Sequence, residues 1–166
     1  MDWYTFLKFL HIFGTVLGVG GATFAEIFYT KFQSDKKVDL FEHEVLKICV
    51  GVIRIGLVIL VFSGLGFLVL ARLAYLGPDV FYSSRFLAKM TVVVVLLFVA
   101  LLMNFRFINL ELGSSISTAS WYAAMILGIW RNLNVSYLVI MLAYFIFGFI
   151  VFLLLTFARK HFVLKK

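Results

Sequence analysis

The chain has 166 residues, is 64% hydrophobic and 14% charged, and carries a formal net charge of +7. With a mean hydropathy of +1.09, it holds more apolar surface than a water-soluble domain of this size could bury, which leaves an all-α polytopic membrane protein. A nucleic-acid role is excluded, because the basic residues sit at the ends of apolar runs, where anionic lipid headgroups attract them; the bilayer is the expected partner, and a homo-oligomer is left open.

Four apolar stretches, approximately 3–30, 48–75, 86–108 and 136–158, each exceed the ~20 residues needed to cross a bilayer. They predict one domain over 1–166, a four-transmembrane-helix antiparallel bundle. The first stretch starts Met-Asp-Trp-Tyr and runs about twice the length of a signal-peptide core, so it is expected to stay as a helix. It is dense in small residues. Gly14 and Gly18 form a small-xxx-small pair suited to close helix approach. At 100° per residue, His11, Thr15, Gly18, Ala22 and Glu26 share one face, which is expected to point into the bundle.

The segment 31–47 is hydrophilic and mixed in charge, with a short amphipathic helix expected at its end. The second stretch carries Ser63-Gly64-Leu65-Gly66, another close-packing patch, and closes at the turn signal Leu76-Gly77-Pro78-Asp79. The third runs from Arg85 to Asn104-Phe105-Arg106-Phe107. Segment 116–132 is short and bears Trp121, Tyr122, Trp130 and Arg131, which suit a headgroup-level, interfacial helix; the alternative is a crossing or re-entrant segment, and a fifth crossing would bring the C-terminal basic run and the first loop to one side.

We call the side of the N-terminus side A and the side of the first loop side B. With four crossings, Lys and Arg divide seven to side A and six to side B. The dense C-terminal basic run on side A tips the expectation towards that side being cytoplasmic.

Ionisable residues inside the stretches are the candidates for function. Glu26 and Arg54 belong to side B and are expected to form a structural ion pair. Arg72, Arg106 and Arg159 read as snorkelling helix-end anchors. His11 and Lys89 both lie one to two turns in from side A. A neutral imidazole can ligate haem iron or copper, and a buried lysine can act as a base. The Gly18/Thr15 face beside His11 leaves room for a planar ligand. Met90, next to Lys89, and Met103 are the softer donors that a copper site would recruit with His11. His43 reads as solvated, and His161, among cations after the fourth stretch on side A, would reach His11 only if that stretch ended lower.

Several short motifs resemble those of a known superfamily. Phe9-Leu10-His11-Ile12-Phe13-Gly14 with Gly20-Gly21 resembles the first helix of CopD-type copper-resistance membrane domains. Val61-Phe62-Ser63-Gly64-Leu65-Gly66 is similar to their central segment. Arg85-Phe86-Leu87-Ala88-Lys89-Met90, running to Asn104-Phe105-Arg106, resembles their third helix. HemJ-type protoporphyrinogen oxidases are similar too. The resemblance implies a multi-pass protein of a prokaryotic inner membrane, with haem b or copper as cofactor. It makes His11 an axial ligand or proton relay, and Lys89 a catalytic cationic or basic group. The alternative is a non-catalytic membrane subunit.

Overall fold

The computed structural model describes residues 2–32, 39–73, 83–130 and 135–164. All five elements are α-helices: α1 (Trp3–Phe32), α2 (Leu40–Leu73), α3 (Ser84–Asn104), α4 (Leu110–Ile129) and α5 (Tyr137–Leu164). As expected from the sequence, four of them, α1, α2, α3 and α5, are long and apolar enough to cross a membrane. The turn expected at Leu76-Gly77-Pro78-Asp79 lies outside the described residues, as do 33–38 of the charged loop.

Local chemistry sets the helix ends. Asp2 caps α1, its carboxylate accepting from the Thr5 amide at 3.2 Å. Glu42 reaches back to the Asp39 amide at 3.0 Å, half of a capping box, so α2 begins inside the loop and absorbs the expected amphipathic turn. The third stretch stops before residue 108. The Phe107 amide bonds the Leu102 carbonyl and the Arg106 amide the Met103 carbonyl, a Schellman ending with Arg106 at φ 58°.

Glycines fix how α1 meets α2. A Cβ on Gly56 would lie 2.8 Å from Gly14 O and from Gly18 N. One on Gly14 would meet Leu60 N at 2.9 Å, and one on Gly21 would meet Ile53 Cγ1 at 2.9 Å. The backbones therefore touch, as small residues allow in lipid, and the antiparallel register is set. Continuing it puts Glu26 opposite Ile48, and Arg54 opposite Gly20.

The segment 116–132 departs from its expected interfacial position. It forms most of α4, packed against α1, α3 and α5. The start of α4 lies at side B, where the Glu111 carbonyl and Ser114 hydroxyl accept from Arg159 beside Glu26. Its end lies at side A, where the Trp130 carbonyl accepts from Arg85 at the start of α3. So α4 makes a fifth pass through the bundle, and α5 finishes at side B rather than side A. Polarity disguised this helix. Ser115 and Ser120 are fully buried, and each donates to the carbonyl four residues back at 2.7 Å. A hydroxyl bonded to its own helix needs no water, and a helix wrapped by other helices need not match lipid.

Hydroxyl bonds tie the outer passes to α4 and α3. Tyr122 meets Thr23 of α1 at 2.8 Å, Tyr144 of α5 meets Ser120 at 2.7 Å, and Tyr137 of α5 meets Thr91 of α3 at 3.1 Å. In the core, Ala22, Leu57, Leu60 and Leu96 surround Trp121.

Candidate functional site at His11

His11 sits two turns into α1, and the glycine register brings it against Ser63 and Gly64 of α2. Its Nδ1 lies 2.9 Å from Ser63 Oγ. The Ser63 hydroxyl has one proton, and carbonyls of its own helix take it: Ile59 O at 2.7 Å and Leu60 O at 3.0 Å. Ser63 Oγ is thereby left as the acceptor, so Nδ1 carries the imidazole proton and Nε2 carries the lone pair. Phe67 holds the ring edge-on at a centroid distance of 5.6 Å. At Gly64 a Cβ would meet only His11 Cε1, at 3.9 Å, an ordinary contact.

Lys89 enters from α3. Val93 and Leu96, one and two turns further along its face, pack on the core cluster that includes Leu57 and Leu60. Its half-buried side chain lies one turn in from the side A end of α3, the end of the bundle that also holds His11. His11 and Lys89 both lie towards side A, and Ser63, not singled out beforehand as a partner of His11, is the group that positions the imidazole. The antiparallel register would have revealed it, since Ser63 and His11 fall opposite each other.

Other expected site residues are placed differently. The space beside Gly18 is not free: a Cβ there would overlap the indole ring of Trp121, delivered by α4. Thr15 donates its hydroxyl to the His11 carbonyl at 2.8 Å, an internal helix bond. The Gly18 side therefore offers no surface for a planar ligand. Met90 lies on the exposed side of α3, about 100° round from Lys89. Met103 is at side B, packed on Gly113 of α4. Among the described residues, no three of His, Cys, Asp and Glu come together as a metal group.

The pairing of Glu26 with Arg54 is corrected. Arg54 lies six residues further into the bundle than the position opposite Glu26, about 9 Å of helix rise. It donates to Asn104 Oδ1 at 3.1 Å instead. The partner of Glu26 is Arg159 of α5, at 2.7 Å, both side chains being more than nine-tenths buried. Arg159 also donates to Ser114 Oγ at 3.0 Å and lies over the Tyr29 ring at 5.2 Å. Arg159 is thus a buried tie between α1, α4 and α5, not a snorkelling anchor. His161, one turn beyond the Phe157 ring it stacks on, shares that end and is remote from His11.

Comparison with protein-family models, curated proteins and solved structures yields no match to this chain.

Proposed function

We propose that this chain is an integral membrane protein that holds haem b through His11 Nε2 and serves redox chemistry in the bilayer, on the CopD/HemJ-like pattern. The observation that carries this reading is the Ser63 hydroxyl at His11 Nδ1. An outer hydrogen bond on one ring nitrogen fixes the tautomer and aims the other nitrogen as a ligand. The donor set favours haem over copper. A porphyrin supplies four nitrogens and asks the protein for a single axial imidazole, whereas a copper site needs two or three protein donors. Here the two methionines expected as copper donors do not join His11, as Met90 faces outward and Met103 lies at the other end. Trp121 closes the Gly18 side, so His11 is the residue that would hold the group. Haem iron, when bound, exchanges single electrons between ferrous and ferric states. Lys89 contributes a positive charge or a proton-accepting amine next to the ligand.

With five passes, side B carries Lys31, Lys36, Lys37, Lys47, Arg106, Lys160, Lys165 and Lys166. Side A carries Lys8, Arg72, Arg85 and Arg131. Eight against four makes side B the cytoplasmic face, the reverse of the four-crossing count.

Protein purified from haem-replete cells should show a Soret band that shifts on reduction. His11→Ala should abolish it, and Ser63→Ala should weaken haem retention roughly 10–100-fold, the usual effect of removing an outer-shell partner. A colourless, metal-free preparation would sink the reading and leave a non-catalytic subunit. Stoichiometric copper in a colourless protein would move it to copper handling.

A further inference from the structure

The second cluster of cations inside the apolar part of the chain lies at the side B edge between α2 and α3. Arg54 is exposed on α2, within one of the apolar helices and level with Asn104 at the end of α3. Its guanidinium has five N–H donors, and the contact that engages it is Asn104 Oδ1. Among the described residues the two ion pairs are Lys47 with Glu44 and Arg159 with Glu26, so no carboxylate neutralises Arg54. An arginine facing lipid without a counter-ion is costly, and such residues mark a bound anion or a pathway.

Two residues beyond Asn104 stands Arg106. It holds φ 58° at the position where the Schellman ending most readily takes glycine. Strain at a residue with a large side chain points to a demand on that side chain. Arg106 also has no carboxylate at salt-bridge distance among the described residues. Phe105 and Phe107, on either side, are 63% and 75% exposed, apolar rings placed to meet acyl chains.

We propose that Arg54, Asn104 and Arg106 form a site for the phosphate of an anionic phospholipid headgroup. Planar guanidinium forks match phosphate oxygens; Arg54 is already held at Asn104, and Arg106 follows two residues later at the same helix end. The flanking phenylalanines commit the site to a lipid, because a free anion gains nothing from exposed aromatic rings. The richer positive charge of side B draws the same lipids to that leaflet. This inference stands independently of the haem reading.

Purified protein in a neutral detergent is titrated with phosphatidylglycerol, phosphatidylcholine or inorganic phosphate, and the thermal midpoint is followed. Phosphatidylglycerol should raise the midpoint, and the other two should not. Arg54→Gln and Arg106→Gln should each shift the half-saturating phosphatidylglycerol concentration upward about tenfold, the worth of one hydrogen bond to a charged group. Arg106→Gly separates backbone from side chain: it should raise the lipid-free midpoint yet weaken the phosphatidylglycerol response as Arg106→Gln does. An equal response in wild type and both glutamine variants would overturn the site. A matching response to inorganic phosphate would overturn its assignment to a lipid.

Discussion

Replacing Arg159 by methionine will destabilise the protein by about 3–5 kcal/mol, because it leaves the Glu26 carboxylate buried without its counter-charge. The Glu26 and Arg159 side chains are only 6% and 4% exposed, so water cannot take over. The double variant Glu26→Leu/Arg159→Met should regain most of that loss. The intact pair is not an efficient stabiliser: Glu26 Oε1 and Arg159 Nε make no hydrogen bond among the described residues, and desolvating two ions offsets most of their attraction. Thermal midpoints of the two single variants and the double variant in detergent measure this coupling. Simple additivity of the single losses would show that the two side chains do not face each other. The same cycle tests the fifth pass, since a C-terminal helix end on side A could not reach Glu26 at all.

Gly56→Leu should separate α1 from α2. All three atoms that a Cβ would meet at Gly56 are backbone atoms of Gly14 and Gly18, and backbone cannot rotate aside as a flexible side chain can. Even Gly56→Ala should cost about 1–3 kcal/mol as overpacking. Gly18→Ala should cost a similar amount, because the rigid Trp121 ring occupies the site. Nothing lies within 4 Å of a Cβ at Gly20 or Gly148, so alanine there should be neutral or stabilising by up to about 1 kcal/mol through helix propensity. Midpoints of the four alanine variants in one detergent decide the matter. If Gly56→Ala tracks Gly20→Ala, the backbone contact is not what holds the pair. Because His11 and Ser63 meet on this same helix pair, the Gly56→Leu variant should also lose the haem-binding behaviour expected of His11.

Several features of this arrangement are visible in the amino-acid order alone. Long apolar runs define α1, α2, α3 and α5, because a helix facing lipid must be apolar along most of its length. The small-residue face of α1 announces a close neighbour, and His11 and Glu26 fall on its inner side. What the order of residues hides is whatever depends on a distant helix. The gap beside Gly18 reads as empty until α4 brings Trp121 into it from 103 positions along the chain. The partner of Glu26 turns on the number of passes, and one hydroxyl-rich helix changes that number from even to odd. Once α4 is inside, Arg159 moves from the far face to the level of Glu26, and Arg54 is released to Asn104. Ser63 was within reach of inspection, since an antiparallel pair with glycines in contact admits a single register.

Of the three tryptophans, Trp3 and Trp130 are largely exposed, while Trp121 is wholly enclosed. Its indole rests on Gly18, seven residues or about 10 Å of helix rise from His11. The molecule thus carries its own optical probe: a shielded fluorophore with blue-shifted emission, inaccessible to aqueous quenchers. It lies well inside the range over which a nearby tetrapyrrole would drain its excited state.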